Sequence, residues 1–201
     1  MTLPTHWVLA TSNAGKVAEL SALLANAGLE LRVTAQSALG VTGPPETGAT
    51  FVENALLKAR HAARATGLPA IADDSGLVVD ALGGAPGVRS ARFAGEHADD
   101  AANIAKLLQL LGQSSLDRSA HFHCVLVALE RPDEAAPLIA SGSWHGEIAR
   151  TPRGSYGFGY DPVFLDPTLG CTAAELEAPR KNAMSHRGAA LRSLIEVLKN
   201  R

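Results

Sequence analysis

Apolar residues along the first third of the chain follow strand and helix patterns in turn. An apolar run at residues 7–11 predicts a buried first strand, and apolar positions then recur at helical spacing at Val17, Leu20, Leu24 and Ala27. Residues 29–33 alternate as a second strand. A second helix is predicted to begin after Thr50, because Thr50 and Glu53 have the Thr-x-x-Glu spacing of a capping box.

The remainder of the chain predicts further strands and helices. Apolar positions at 104–111 indicate a helix that ends at Gly112, and residues 120–129 indicate a long strand. Residues 138–148 are expected to return as its antiparallel partner after a turn. A last helix is predicted to pack through Leu191, Leu194, Ile195 and Leu198, with Ser185 as a possible cap.

A short apolar run at residues 70–72 leads directly into two adjacent carboxylates, Asp73 and Asp74. We expect a strand over residues 70–74 that carries both acids at its carboxyl end, and a further strand over 77–80. Two neighbouring ionised carboxylates repel each other unless a cation lies between them or one takes a proton. Mg²⁺ prefers such oxygen ligands and usually also binds substrate phosphate, so the pair indicates a metal site or a general base. The alternative is a polar turn between two strands.

The turn between the first strand and the first helix is Ser12-Asn13-Ala14-Gly15-Lys16. Backbone N–H groups and the helix dipole favour an anion at such a position, so a phosphate cradle is one interpretation. It is not a Walker A loop, because Val17 follows Lys16 where Ser or Thr should stand. The other interpretation is an ordinary capped start of a helix.

Other charged residues near the second helix have less specific patterns. Glu53 is most simply explained as part of the helix cap. Glu46 has no such local role in its Gly- and Pro-rich loop and is therefore free to turn toward a metal. Lys58 and Arg60 are expected on the solvated face of the helix, with a cleft as the alternative.

The segment from 154 to 162 concentrates three aromatic residues between glycines, in a chain with only 4% aromatic residues. Glycine neighbours leave an aromatic face open, and an open face suits stacking on a planar base. Further along, His186 and Arg187 follow Ser185 at the start of the last helix. Cationic groups are unfavourable at that end of a helix, so this placement indicates a ligand.

Composition limits the possible functions. The 201 residues carry a formal net charge of −2, which gives no basic field for nucleic acid or an anionic membrane. No stretch approaches the roughly 20 apolar residues of a membrane span. Cys124 and Cys171 are far apart and form no Cys-x-x-Cys pair, and residues 1–6 do not resemble a signal peptide. We therefore predict a cytoplasmic protein without a zinc cage.

Six segments together resemble those of the inosine triphosphate pyrophosphatase (Ham1-like) family, in particular its bacterial members that act on dITP and XTP. The similarity runs nearly from end to end of the chain. The segments are Thr11-Ser12-Asn13-Ala14-Gly15-Lys16, Phe51-Val52-Glu53-Asn54-Ala55 with Lys58-Ala59, Ala72-Asp73-Asp74-Ser75-Gly76-Leu77, Leu82-Gly83-Gly84-Ala85-Pro86-Gly87, Gly157-Phe158-Gly159-Tyr160-Asp161-Pro162 and Ser185-His186-Arg187-Gly188.

The resemblance implies one α/β domain over residues 1–201, with a long mixed β-sheet flanked by helices and two lobes around a central nucleotide-binding cleft. It implies a homodimer with neither nucleic acid nor membrane as a partner. The implied reaction is Mg²⁺-dependent hydrolysis of purine nucleoside triphosphates such as dITP, ITP and XTP. Cleavage between the α- and β-phosphates would give a nucleoside monophosphate and pyrophosphate, and so clear non-standard purines from the nucleotide pool.

The resemblance also assigns roles to individual residues. Asp74 matches the proton acceptor and metal-site aspartate, and Asp73 matches its acidic neighbour. Two acids are expected in the loop before the second helix, but this chain has Pro45-Glu46, so Glu46 is the expected loop ligand. Lys16 is expected to neutralise charge during catalysis. The implied substrate contacts are Thr11, Ser12, Asn13, Ala14, Gly15, Lys16, Ser75, Phe158, Gly159, Tyr160, Asp161, Lys181, His186 and Arg187.

Two rival functions remain open at this point. A Maf-like pyrophosphatase would act on pyrimidine or other modified nucleotides with a similar scaffold, and substrate preference would distinguish it. A non-catalytic nucleotide sensor would bind triphosphates without turnover. A nucleic-acid-binding role is the weakest alternative, because no basic stripe accompanies the aromatic residues.

Overall fold

The structure is a computed structural model that describes residues 3–112 and 117–200. Seven strands and five α-helices are assigned within these ranges. In chain order they are β1 (His6–Leu9), α1 (Ala14–Asn26), β2 (Arg32–Ala35), α2 (Phe51–Thr66), β3 (Ala70–Val79), α3 (Asp100–Leu111), β4 (Ser119–Leu129), β5 (Leu138–Ile148), β6 (Phe164–Asp166), β7 (Cys171–Thr172), α4 (Ala178–Met184) and α5 (His186–Lys199). Short 3₁₀ helices cover 36–39, 80–82, 87–92, 161–163 and 173–175.

The seven strands form one sheet in the order β2-β1-β3-β4-β5-β6-β7. Strand β1 runs parallel to both β2 and β3, whereas β6 pairs antiparallel with both β5 and β7. The parallel pairs belong to strand–helix–strand connections, since parallel neighbours need a crossover, whereas the antiparallel strands β6 and β7 are joined by a short turn at 167–170. The predicted mixed sheet flanked by helices is confirmed.

The described residues divide into two compact units. The first contains the residues up to Asp74, Cys124–Gly142 and the residues from Ala189 onward; the second contains Ser75–His123 and Ser143–Gly188. Each unit has its own apolar core. The prediction of one domain over residues 1–201 stays a prediction, and residues 1, 2, 113–116 and 201 of that range lie outside the described residues.

Several local predictions are confirmed. Helix α2 begins at a capping box in which Thr50 accepts from the backbone N–H of Glu53 and the Glu53 carboxylate accepts from that of Thr50. Gly67 ends the same helix with a left-handed φ of 68°. Strand β5 has the predicted bounds, and it lies beside β4 in the sheet. Neither α2 nor any other described helix is long and apolar enough to cross a membrane.

Other predictions need correction. Residues 70–79 form one continuous strand, so Asp73 and Asp74 lie in the middle of β3 and not at its carboxyl end. Ser75 and Gly76 favour turns in isolation, but sheet pairing of the flanking apolar residues overrides that preference. Strand β1 ends at Leu9, before the predicted residue 11, and β2 covers 32–35 and not 29–33. Residues 178–184 form a helix where no element was predicted.

Candidate functional site

The two neighbouring aspartates of β3 point to opposite faces of the sheet, because successive side chains of a strand alternate. Ile71, two residues before Asp73, belongs to the core that includes Leu20 and Leu24 of α1. Ala72, two residues before Asp74, packs in the core that includes the alanines of α2. Asp73 therefore lies toward α1, and Asp74 toward α2.

Asp73 forms an ion pair with Lys16, which lies in the first turn of α1. The Lys16 ammonium donates to both carboxylate oxygens, at 3.0 and 2.8 Å. The Asn13 side chain caps the helix by accepting from the backbone N–H of Gly15 at 2.8 Å, and the Asn13 N–H donates to Thr11 Oγ1 at 3.1 Å. The segment is therefore a capped helix start with a lysine held beside it.

Positions in this turn differ in how far they are open to a ligand. Thr11 is buried, whereas Ser12, Asn13 and Gly15 are exposed. Ala14 is the first residue of α1, and its side chain lies outside the described part of the chain. The predicted substrate contacts of this segment stay predictions.

Asp74 lies at the centre of a second charged group. Its Oδ1 accepts from Lys58 Nζ at 2.7 Å, and its Oδ2 accepts from Asn54 Nδ2 at 3.3 Å. The same Lys58 ammonium also donates to Glu46 Oε1 at 2.9 Å. The structure therefore brings the carboxylates of Glu46 and Asp74 to one shared ammonium group.

Burial is the largest influence on Asp74. It raises the pKa of the carboxyl above the usual 3.8, the nearby Glu46 charge adds to this, and Lys58 and Asn54 offset it only in part. Burial alone would lower the pKa of Lys58, but Asp74 and Glu46 outweigh it and raise that pKa above 10.5. Lys58 is thus charged at neutral pH, and the raised pKa of Asp74 makes it a better proton acceptor than an exposed aspartate.

The carboxylates near α2 and β3 have the chemistry of metal ligands. Within the described ranges, no three His, Cys, Asp or Glu side chains are grouped closely enough to hold a metal ion. Mg²⁺ needs only one or two carboxylates when substrate phosphates and water complete its shell. Asp74 and Glu46 fit that requirement, since they already converge on one positive charge. Asp73 does not share the Lys58 ammonium with Asp74 and Glu46, because it pairs with Lys16 on the other face of β3.

Ser75 and the start of α5 form another polar contact. Arg187 Nη2 donates to Ser75 Oγ at 3.3 Å. Ser185 caps α5 as predicted, accepting from the N–H of Gly188 at 3.1 Å. His186 is buried, and its ring stacks on Phe122 with centroids 4.9 Å apart. Two of the predicted substrate contacts, Ser75 and Arg187, are therefore neighbours.

The aromatic residues of the glycine-rich loop fall into two classes. Tyr156 and Phe158 are 54% and 61% exposed, which agrees with the predicted open faces. Tyr160 is only 4% exposed, and its hydroxyl donates to the carbonyl of Ser90 at 2.9 Å. The expectation of an open face is therefore wrong for Tyr160, whose ring belongs to the core of the second unit.

Hydrogen bonds from backbone N–H groups to side-chain carboxylates hold this loop in place around Phe158. The Asp161 carboxylate accepts from the Phe158 N–H at 2.8 Å and from the Lys181 ammonium. The Lys181 ammonium also lies 4.9 Å from the centroid of the Phe158 ring, a cation–π contact. The N–H of Gly159 donates to Asp100 Oδ2 at 2.6 Å. Four of the substrate contacts that the resemblance implies are thus neighbours: Phe158, Gly159, Asp161 and Lys181.

Gly157 is required by the geometry of the same loop. Its φ is +79°, and a Cβ atom there would lie 2.0 Å from Asp161 Oδ2. Any side chain at this position would displace the carboxylate that orients Phe158 and Lys181.

Sequence reasoning assigned no role to Asn54 or Asp100, and it placed Lys58 on the solvated face of α2, with a cleft as the alternative. Lys58 is not a solvated-face charge, since only 14% of its side chain is exposed. A signal was available, because Asn54 and Lys58 are four residues apart on the helix face that also carries Ala55, Ala59 and Ala62. No pattern in the sequence pairs Asp100 with Gly159, which is 59 residues away.

Comparisons with known proteins agree with this architecture. The family model described as "Ham1 family" matches residues 7–197. A protein of Halorhodospira halophila named dITP/XTP pyrophosphatase is 60% identical over 94% of each chain. One of Shigella flexneri with the same name is 58% identical over 96% of this chain and 98% of its own.

Solved structures give the same result. The structure of a HAM1 protein from Coxiella burnetii has a TM-score of 0.92 and 52% identity, covering 98% of this chain and 100% of the other. The Staphylococcus aureus Ham1 protein has a TM-score of 0.88 and 41% identity, covering 97% and 98%. Since the family model spans nearly the whole chain and relatives exceed half identity, the chain belongs to the Ham1 family.

Proposed function

We propose that this protein is a Mg²⁺-dependent pyrophosphatase that hydrolyses dITP, ITP and XTP to the nucleoside monophosphate and pyrophosphate. The observation that carries the proposal is the buried carboxylate of Asp74, held by Lys58 and Asn54 with Glu46 on the same ammonium. Such a group combines a proton acceptor with oxygen donors for a divalent cation. The relatives named dITP/XTP pyrophosphatase support the choice of substrate.

In the proposed mechanism Asp74 takes the proton from the attacking water. Its raised pKa suits that role, because a general base works best when its pKa approaches the working pH. Lys16 and Lys181 offset the negative charge of the triphosphate. Asp74 and Glu46 would hold Mg²⁺, which supplies further charge neutralisation when it is bound.

Base recognition is assigned to the glycine-rich loop and the start of α5. The exposed ring of Phe158 stacks on the purine, and Arg187 together with backbone groups recognises the carbonyl at position six. Adenine presents an amino group there. ATP is therefore rejected, since a mismatched buried donor costs about 1–3 kcal/mol. Guanine shares the carbonyl at position six, so rejection of GTP requires discrimination against its amino group at position two.

The removal of non-standard purines from the nucleotide pool follows from these substrates. The remaining assignments belong to the same proposal: the homodimer, the cytoplasmic location, and the substrate contacts of residues 11–16, Ser75, Gly159, Tyr160, Asp161 and His186. Tyr160 acts there through its backbone or through its hold on the loop, because its ring is buried.

The test is pyrophosphate release from ITP, XTP, ATP and GTP, measured with Mg²⁺ and with EDTA. We expect metal-dependent release from ITP and XTP and little from ATP or GTP. Release from modified pyrimidine nucleotides instead would favour the Maf-like alternative. Tight triphosphate binding with no turnover in Mg²⁺ would favour the nucleotide sensor.

A further inference from the structure

Asn54 is a polar residue with no exposed surface among the buried alanines of α2. Burying an amide is unfavourable unless its hydrogen-bonding groups find partners. Its carbonyl and its amino group both have one, and neither partner belongs to α2. The two partners are Gly48, in the loop before the helix, and Asp74, in β3.

The orientation of the Asn54 amide is fixed by these partners. The N–H of Gly48 donates to Asn54 Oδ1 at 2.8 Å, so the amino group must face the other way. There it donates to Asp74 Oδ2 at 3.3 Å. A reversed amide would place its amino group against the Gly48 N–H and its carbonyl oxygen against the Asp74 carboxylate. The donor side of Asn54 is therefore committed to Asp74.

Gly48 lies unusually close to α2. A Cβ atom on Gly48 would lie 2.7 Å from Asn54 Oδ1 and 2.7 Å from Glu53 Cβ. The close approach matters because Glu46, which shares the Lys58 ammonium with Asp74, lies two residues before Gly48. Asn54 is thus a second link, beside Lys58, between the loop that carries Glu46 and the strand that carries Asp74.

We propose that Asn54 is a positioning residue for the hydrolytic step: it joins the Glu46 loop to Asp74 and fixes the direction of the Asp74 carboxylate. The inference rests on the proposed function. Asp74 Oδ1 is held by Lys58, and Oδ2 is held by Asn54. Without Asn54 the carboxylate can rotate about its remaining contact, and a displacement of about 1 Å at a reacting group can lower the rate about a hundredfold.

The test uses two variants, one that changes Asn54 and one that changes its partner Gly48. Asn54→Asp keeps an oxygen for Gly48 but replaces the donor to Asp74 with a second carboxylate. Gly48→Ala leaves Asn54, Lys58 and Asp74 unchanged but forces the loop away from α2. The matched control is His61→Ala, which removes a different bond between α2 and the start of the same loop, from His61 Nε2 to the carbonyl of Thr42 at 2.8 Å.

Both test variants should lower kcat for ITP or XTP about tenfold to a hundredfold. Their KM should change less than about threefold, because substrate contacts are untouched. His61→Ala should retain the wild-type kcat. Thermal unfolding must show that at least one of the two test variants folds, and Gly48→Ala serves if the buried carboxylate of Asn54→Asp prevents folding. Wild-type kcat in a folded test variant would overturn the proposal.

Hydrogen exchange of the Gly48 amide tests the link without any turnover. Protection should persist in Asn54→Asp, which keeps the acceptor, and fall in Asn54→Ala, which lacks one. Equal protection in both would also overturn the proposal. If the wild-type protein hydrolyses no nucleotide, the proposed function fails, but these exchange rates still show whether Asn54 holds the loop.

Discussion

The charged group around β3 and the glycine-rich loop around Phe158 place their side chains by different means. Lys16, Asp73, Asp74 and Lys58 all lie within regular helices or the strand, and alternation along β3 separates the two aspartates. Phe158 lies in irregular backbone that is held by the Asp161 carboxylate and by Asp100. The first group is ordered by secondary structure, and the second by individual side-chain-to-backbone bonds.

This difference predicts different kinetic effects. Groups that act on the transition state change kcat when they are altered, whereas groups that hold the substrate equally in both states change KM. We therefore expect variants of the charged group to lower kcat, and variants of the loop to raise KM. The following predictions test this division, beginning with the largest expected effect.

Asp74→Asn should lower kcat about 10²- to 10⁴-fold, the usual contribution of a positioned proton acceptor. Folding should be retained, since asparagine is isosteric and Lys58 keeps Glu46 as a partner. Steady-state kinetics and circular dichroism measure the two quantities. Asp73→Asn, on the opposite face of the same strand, is the matched comparison and should lose less. Equal losses would contradict the separation of the two faces.

Lys16→Ala should reduce kcat for triphosphates about tenfold to a hundredfold, because a hydrogen bond to a charged group contributes about 1.5–3 kcal/mol. The melting temperature should fall modestly, because the Lys16 side chain is partly exposed but its partner Asp73 is buried. Lys199→Ala, which removes an exposed lysine from the end of α5, is the control. Unchanged kinetic constants would remove Lys16 from the proposed mechanism.

Phe158→Ala should raise KM about tenfold and leave kcat nearly unchanged, since stacking contributes about 1–3 kcal/mol per base. Tyr156→Ala removes the other exposed aromatic ring of the loop and should have the smaller effect. Nucleotide titration by fluorescence or calorimetry would measure the affinities. A larger loss in Tyr156→Ala would transfer the stacking role to Tyr156.

The smallest effect concerns stability and pH. Because burial raises the pKa of Asp74 above 3.8 in the folded protein, the stabilisation from this group is complete below 3.8 and is lost as pH rises through the folded pKa. In metal-free buffer, the unfolding free energy of the wild type should therefore fall relative to that of Asp74→Asn as pH rises from 3.8 through the folded pKa of Asp74. Urea titrations at a series of pH values measure these free energies. A gain in wild-type stability relative to Asp74→Asn as pH rises would contradict a raised pKa of Asp74.

Patterns within one element were predicted well from the sequence. The capping box at Thr50 and the bounds of β5 depend on residues close together in the chain, and the structure confirms both. The Asp73–Gly76 segment was misread because its turn-forming residues are held extended by neighbouring strands, which sequence spacing does not reveal. Lys58 was misread for a similar reason, since its partners lie 12 and 16 residues away.

The residue type at Gly157 and at its neighbour Phe158 is constrained by two unrelated requirements. At Gly157 a Cβ atom would collide with Asp161, and the backbone is left-handed, so every replacement should be rejected at the level of folding. At Phe158 the ring is largely in solvent, and most replacements should fold normally and be rejected only when nucleotide hydrolysis is required. In a saturation library, replacements at Gly157 should lower protein abundance, whereas replacements at Phe158 should lower nucleotide hydrolysis without lowering abundance.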